Sequence, residues 1–381
     1  MSRSYVDAVR LAGVASAVPD RVATADEDAT VFGGVEMAKI AKSTGIRSRR
    51  IAPDGICTSD LCLAAAERLL GDLAWDRDSI DTLIFVSQTP DYFLPSTSCS
   101  LHGRLGLSNQ CAAFDVNLGC SGYAYGVWLA SHLVASGASR RALLLAGDTG
   151  ARNVNPLDRS ARPLFGDAGA ATAFERQPSA ERMFFRLGTD GSGQNHLIVP
   201  AGGYRMRPSR QTAQSHPDAD GNVRSLDQLY MNGAEIFLFT LAEVPGLVRG
   251  TLEDAAWAMD DVDAFVFHQA NRFMLTHLAK SMKVPLEKLT LALEEFGNTS
   301  SASIPLAITA RLAERFASGP AKVLLAGYGV GFSWAAAAIT FDRPVVSEIV
   351  VVDTARLLER LASSESHLPE CLRTPANEPV G

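Results

Sequence analysis

Cys120, His268 and Asn298 are the residues whose types and settings could carry chemistry in this chain. Cys120 stands in Asp115-Val-Asn-Leu-Gly-Cys-Ser-Gly-Tyr, where Gly119 permits a tight turn and small neighbours leave room for a substrate. The segment reads as a strand ending near Asn117, then a helix with Cys120 in its first turn. A helix N-terminus favours an anion, so it lowers a thiol pKa and can hold an oxyanion on an acyl group attached to the sulfur. A buried structural cysteine at a helix start fits the segment equally well. His268 ends the apolar run Phe265-Val-Phe, at the strand edge where open α/β sheets bind ligands. A lone histidine there is more often a hydrogen-bonded core residue. Asn298 lies in Phe296-Gly-Asn-Thr-Ser-Ser-Ala-Ser-Ile-Pro305, where an Asn ordinarily caps a helix or shapes a turn. Brought to one point, a thiol, an imidazole and an amide can form an acyl-cysteine and stabilise a carbanion.

An internal repeat gives a reason to expect that convergence. Asp81-Thr-Leu-Ile-Phe-Val and Asp263-Ala-Phe-Val-Phe-His lie 182 positions apart. Phe114-Asp115 and Phe296-Gly297 keep the same offset, as do Ala135-Ser-Gly137 and Ala317-Ser-Gly319. Leu145-Ala-Gly147 and Leu325-Ala-Gly327 follow at 180. Each copy reads strand, helix, strand. In the first these are 82–87, 121–134 (closed by Gly137) and 141–146. Apolar strands alternating with helices predict an α/β fold with largely parallel sheets, built as a pseudo-two-fold pair. The halves are placed at 1–175, carrying Cys120, and 176–342, carrying His268 and Asn298. The polar stretch 195–232 is too long for a simple connection and reads as a lid or binding loop, or as a surface excursion without a role. Residues 343–381 form a C-terminal extension. It comprises a β-like run at 345–352, an amphipathic helix at 354–362 and a polar tail expected to be disordered after Ser363.

Composition excludes several other classes. The 381 residues are 47% apolar and 20% charged, as in an ordinary globular protein, with net charge −7. That balance speaks against a nucleic-acid binder. No run approaches the ~18 apolar residues of a membrane span, and the first residues lack a secretory layout, so a cytoplasmic protein is expected. The six cysteines form no CxxC and the seven histidines no paired spacing, so neither a metal site nor a disulfide framework is expected. Gly327-Tyr-Gly329-Val-Gly331 does not open onto a nucleotide-binding helix, because Trp334-Ala-Ala-Ala-Ala-Ile reads as the next strand. Its N–H groups suit an oxyanion hole instead. Asp167, in Leu164-Phe-Gly-Asp-Ala-Gly, reads as structural.

DVNLGCSG, PLFGDAGAA, HQAN, FGNTSSASIP and GYGVGFSW, in that order, resemble the thiolase superfamily and within it the β-ketoacyl-acyl-carrier-protein (ACP) synthase III family. The resemblance covers about 1–342. It implies a five-layered αβαβα fold, a homodimer, an ACP partner and no cofactor, since the substrates themselves carry coenzyme A or phosphopantetheine. By the resemblance, Cys120 is the acyl-accepting nucleophile, and His268 and Asn298 hold the malonyl thioester oxygen during decarboxylation. Gly331 and the Cys120 N–H form the oxyanion hole. Leu94 reaches the partner's acyl pocket and Arg152 lies near the coenzyme A adenine. Phe237 is expected to line the substrate pocket, and Arg272 and Lys280, with Lys283, to meet an acidic carrier.

The implied reaction is acylation of Cys120 by an acyl-CoA or acyl-ACP primer, then condensation with malonyl-ACP to a 3-oxoacyl-ACP. Relatives that deprotonate their acyl donor use a glutamate, and this chain has none between Glu67 and Glu175. Loss of CO2 needs no such base. The alternatives are a non-decarboxylating acyl transfer from Cys120 to an oxygen or nitrogen nucleophile, and a non-catalytic partner subunit. Before Thr44-Gly-Ile-Arg47, Lys39 and Ser43 replace the tryptophan and arginine that flank the adenine in acetyl-CoA-using members. That departure, the 195–232 stretch and the extension point to a specialised branch, in secondary metabolism, surface glycolipids or the transfer of longer acyl chains, rather than to the housekeeping enzyme.

Overall fold

Strand 82–86 shows how the chain sorts itself into layers. Its side chains alternate, with Leu83 and Phe85 in one apolar cluster and Ile84 and Val86 in another. Both faces of its sheet are therefore covered. A computed structural model describes residues 1–363; Cys371 and the tail expected to be disordered lie outside the described residues. The principal strands are β1 (Ser2–Val6), β2 (Val9–Pro19), β3 (Thr82–Val86), β4 (Ala112–Val116), β5 (Arg141–Asp148), β6 (Ala168–Arg176), β7 (Met183–Thr189), β8 (Ala264–Phe267), β9 (Ala321–Gly329), β10 (Ser333–Phe341), β11 (Val345–Val346) and β12 (Val350–Val352). The principal helices are α1 (Thr58–Leu73), α2 (Thr97–Leu105), α3 (Gly122–Ala135), α4 (Gly233–Ala255), α5 (Arg272–Met282), α6 (Ser303–Arg311) and α7 (Thr354–Ser363).

The first sheet runs β11-β2-β6-β5-β3-β4, with β12 also on β2, and the second runs β1-β7-β10-β9-β8. The order β2-β6-β5-β3 in one is repeated as β7-β10-β9-β8 in the other, so the repeat is structural. α3 and α6 fill the middle layer, where Val127, Ala130, Ile304 and Ala307 meet Ile84 and Leu144 of one sheet and Val266 and Val323 of the other. α1 and α2 cover the outer face of the first sheet through Leu61, Leu69 and Leu101. α4 and α5 cover the second through Val244, Leu247, Leu275 and Leu278. The five-layered αβαβα arrangement is therefore present.

Two expectations are corrected. The sheets are mixed rather than largely parallel. β3–β5 and β8–β9 are parallel, but β5–β6, β6–β2, β9–β10 and β10–β7 are antiparallel. No crossover helix separates β9 from β10, and a strand that returns through a tight turn must run antiparallel. The halves also exchange their ends. β1 pairs with β7 in the second sheet, while β11 and β12 pair with β2 in the first. α7 packs Leu357 and Leu358 against the first sheet's outer cluster, so described residues 343–363 complete the first half rather than append to it. The 195–232 stretch, whose role the fold leaves open between the readings given above, is tied down. It forms two short ribbons, Leu197–Ile198 with Tyr230–Met231 and His216–Pro217 with Val223–Arg224. Arg224 pairs with the buried Asp158, and Asn155 donates to Gln228 at 2.8 Å.

Among the described residues no helix is long and apolar enough to cross a membrane. A tight approach of backbone to backbone between layers is at Gly169 of β6, where a Cβ would stand 2.4 Å from the Cys62 backbone nitrogen in α1. Gly169→Val should force that helix off its sheet and cost about 1–3 kcal/mol, read as a lower melting temperature.

Candidate active site

Cys120, His268 and Asn298 are all buried, on three chain segments that meet where the two sheets face the central layer. Cys120 does not lie in the first helical turn. Ser121 is the N-cap of α3, so the cysteine precedes the helix. The β9–β10 turn presses on it from the second half. A Cβ on Gly329 would stand 2.9 Å from Sγ, so only glycine fits. Ser121 Oγ and Ser333 Oγ, 2.6 Å apart, tie that turn to the base of α3. The backbone N–H groups at the sulfur are those of Val330 and of Cys120 itself. This moves the expected oxyanion donor by one residue, from Gly331 to Val330. The strand register that selects between neighbours in a glycine-rich turn is invisible in composition.

The thiol is also not in the state predicted for a helix start. Burial pushes its pKa up to about 11, and the nearby Asp148 adds to the rise. The N–H groups of Val330 and Cys120 and the Ser300 hydroxyl pull the other way without cancelling desolvation.

His268 follows β8 and its N–H bonds the Ala326 carbonyl of β9 at 2.8 Å. Its ring is fully enclosed, and burial lowers its pKa to about 4, so it is neutral at physiological pH. Ser303 Oγ is 2.8 Å from Nδ1. The rest of the motif is structural. Gln269 donates to the Phe267 and Thr290 carbonyls and accepts from Ala292 N–H, while Asn271 caps α5 by accepting from Met274 N–H.

Asn298 is fixed by its backbone to Leu164 and Gly166. Its Oδ1 accepts from Ser300 N–H at 2.9 Å, an Asx turn that leaves Nδ2 as the outward donor. Ser300 is the residue that sequence reasoning missed. Its N–H is held by Asn298, its carbonyl faces the His268 ring, and its hydroxyl lies between Cys120 and Asp148. It adopts φ +50°, a left-handed conformation rare outside glycine. Asp148, at the end of β5, is buried, and burial raises its pKa. Its Oδ1 accepts from Gln88 N–H at 2.8 Å and Ser87 Oγ at 3.1 Å, and its Oδ2 from Ser301 Oγ at 2.8 Å. The sequence signal was an acid ending an apolar strand at the same height as the Gly327 turn.

The remaining predicted residues lie elsewhere. Leu94 is 76% exposed beside the exposed Tyr92 and Phe93, in an apolar tip whose Phe93 ring meets that of Tyr204 at 5.9 Å. Arg152 donates to the Ile56 and Pro53 carbonyls, which commits part of its guanidinium. Phe237 stacks on Phe273 at 5.6 Å and contacts His277 on the outer layer, so its partners are α5 side chains. Phe239 instead stacks on Phe332 of the β9–β10 turn at 4.2 Å. Arg272 is bound to Glu294 at 2.8 Å and packs on Gly45, whereas Lys280 is exposed. Asp167 holds Ala52 and Ala151 N–H groups, the structural role expected of it.

Two family models match the chain: 3-oxoacyl-[acyl-carrier-protein] synthase III over residues 114–191, and the C-terminal part of that enzyme over 252–341. A β-ketoacyl-[acyl-carrier-protein] synthase III of Streptomyces coelicolor is 37% identical over 335 residues, covering 87% of this chain and 96% of the relative. A crystal structure of a 3-oxoacyl-(acyl-carrier protein) synthase from Burkholderia xenovorans LB400 superposes with TM-score 0.87 at 42% identity, over 92% of this chain and 99% of that one. The priming β-ketosynthase of the R1128 polyketide pathway superposes with TM-score 0.77 at 30% identity, over 89% and 98%.

Two pH effects follow. Iodoacetamide should alkylate Cys120 in the substrate-free protein about tenfold faster per pH unit, up to about pH 11. A plateau near pH 7 would show instead a thiolate already formed. His268 is neutral in the fold but titrates near 6.5 when unfolded, so its stabilising effect is complete above that pH and is lost as pH falls toward 4. Between pH 6.5 and 4 the wild-type melting temperature should fall more steeply than that of His268→Gln.

Proposed function

The chain belongs to the 3-oxoacyl-[acyl-carrier-protein] synthase III family and is a condensing enzyme of that type, and on this premise we propose how its residues divide the work. In the first half-reaction the Cys120 sulfur attacks the carbonyl of a primer acyl thioester. The Val330 and Cys120 N–H groups receive the oxyanion, the old C–S bond breaks, and the thiol proton leaves with the departing thiolate. The enclosed thiol reacts as a nucleophile formed in step with substrate arrival, since burial opposes a standing charge.

In the second half-reaction malonyl-ACP enters beside His268 and Asn298. In the tautomer that accepts from the Ser303 hydroxyl at Nδ1, the neutral imidazole carries its proton on Nε2. That N–H and Asn298 Nδ2 bind the thioester oxygen. The bond to the carboxylate breaks, CO2 departs, and its electron pair becomes an enolate. The enolate carbon attacks the acyl carbonyl on Cys120, a C–C bond forms, the C–S bond breaks, and the sulfur leaves as a thiolate that takes up one proton from solvent to restore the thiol. No resident cofactor is called for. The observation that carries this reading is that Ser300 bonds Asn298 Oδ1 and touches both His268 and Cys120, which gathers an amide, a neutral imidazole and the thiol around one residue.

The exposed Tyr92-Phe93-Leu94 tip supports a homodimer in which this apolar surface is covered by a second copy. Lys280 and Lys283, both exposed, are the cations offered to an acidic carrier, since Arg272 is occupied by Glu294. Lys39 is exposed and pairs with Glu36, so this position offers no ring for an adenine to stack on. That supports a primer other than acetyl-CoA and a specialised role.

Intact-protein mass spectrometry with a panel of acyl-CoA and acyl-ACP donors, then malonyl-ACP, tests the division. Cys120→Ala should form no adduct. His268→Ala and Asn298→Ala should keep the adduct but release CO2 about 10²-fold or more slowly. Wild-type turnover of the adduct without CO2 would point to acyl transfer to another acceptor.

A further inference from the structure

Cys120 must give up a proton as its sulfur attacks the primer, because burial keeps the resting thiol protonated. His268 is a weak base for that task, since burial lowers its pKa to about 4. Ser300 is better placed. Its hydroxyl reaches both the Cys120 sulfur and the buried Asp148 carboxylate. A Cβ on Gly119, the residue before the cysteine, would stand 3.2 Å from Ser300 Oγ, so that oxygen lies against the nucleophile's own backbone. The chain around it is pinned on both sides. Ser300 N–H donates to Asn298 Oδ1 at 2.9 Å, and the next N–H, of Ser301, donates to Asp148 Oδ2 at 3.1 Å. Ser300 takes φ +50°, a conformation that a glycine would adopt freely. What a serine adds at this strained position is one hydroxyl.

Asp148 can take what that hydroxyl passes on. Its Oδ1 accepts from Gln88 N–H, Ser87 Oγ and, at 3.2 Å, Thr89 Oγ1, while Oδ2 accepts from the N–H and hydroxyl of Ser301. Each oxygen thus faces a backbone N–H, which can only donate, and such a setting favours the carboxylate. Burial raises its affinity for a proton, as a base requires. We propose that Ser300 and Asp148 form a proton relay for Cys120 in the acylation half-reaction described above, on which this inference rests. As the sulfur bonds the primer carbonyl carbon, its proton moves to Ser300 Oγ and the Ser300 proton moves to Asp148. The oxyanion is held by the Val330 and Cys120 N–H groups. When the intermediate collapses, the bond to the departing sulfur breaks, the proton returns through Ser300 to that sulfur, and Asp148 is again a carboxylate. Bonding to carbon makes the S–H proton acidic, so the transfer proceeds although the free thiol keeps its proton. Ser300 touches the reacting sulfur and is catalytic, whereas Asp148 acts through it. Condensation needs neither group as a base, since departing CO2 supplies the carbanion.

Ser300→Gly removes the hydroxyl, keeps the N–H that Asn298 holds and relieves the left-handed strain, so the variant should fold. Single-turnover acylation by the preferred primer, followed by mass spectrometry, should slow about 10²-fold or more. Variant protein acylated to completion by long incubation should then release CO2 from malonyl-ACP at the wild-type rate. In mixtures of H2O and D2O the wild-type acylation rate should follow a curve against deuterium content, because two protons move together, and the variant should lose that curvature. Unchanged acylation in the variant would overturn the proposal. So would an equal loss in acylation and CO2 release, which would make Ser300 only a support for Asn298 and His268. A straight wild-type line in the isotope mixtures would remove Asp148 from the relay and overturn it as stated. Wild-type protein that forms no adduct with any primer would overturn the acylation reading itself, before the variant is compared.

Discussion

A buried carboxylate joins the two halves of this protein. Asp148 ends β5 in the first half, where one oxygen takes hydrogen bonds from the Ser87–Gln88 turn. The other oxygen takes the N–H and hydroxyl of Ser301, 153 residues further along and in the second half. A charge removed from water is tolerated only when its lone pairs are satisfied, so these donors must all be in place together. The 298–303 segment is thereby held at one height against the first sheet. Asn298, Ser300 and Ser303 are aligned with Cys120 and His268 as a result, and the left-handed conformation at Ser300 is sustained by bonds on both of its sides.

The chemistry is one of neutral groups held in a dry place. A thiol beside a histidine can form an ion pair, but this site, with both groups buried, disfavours both charges. His268 is pushed below its ordinary value and Cys120 above. The working elements are fixed donors aimed at positions where negative charge develops. That matches a reaction in which the departure of CO2 supplies the carbanion.

Much of this was legible in the sequence. The repeat at 182 positions gave matching strands, and the mirrored orders β2-β6-β5-β3 and β7-β10-β9-β8 are its structural form. The Cys, His and Asn motifs were recognisable because each sits at the end of a strand or in a turn that the repeat duplicates. What escaped were properties created by distant packing. Between a helix-start thiol and a buried one the sequence could not choose, because helix position is local whereas desolvation is set by the β9–β10 turn arriving from two hundred residues away. The resemblance pointed to Gly331, whereas the N–H at the sulfur is that of Val330, because only the hairpin register decides which N–H turns there. Phe237 and Phe239 were indistinguishable until α4 was oriented. Ser300 looked like one serine in a small-residue run, since nothing along the chain reveals that its three polar groups serve three partners.

The exchanged ends of the sheets have a temporal meaning. β11 and β12 complete the first sheet, yet they are encoded after the whole second half, and β1 must await β7 to find its place. A ribosome delivering this chain from its N-terminus cannot finish either sheet in order. The first half emerges with the flank of β2 unpaired and stays so until about 350 residues have been made. What began as two similar units is thus interlocked into a single cooperative object, and neither half can be cut out at the midpoint without taking a strand from the other.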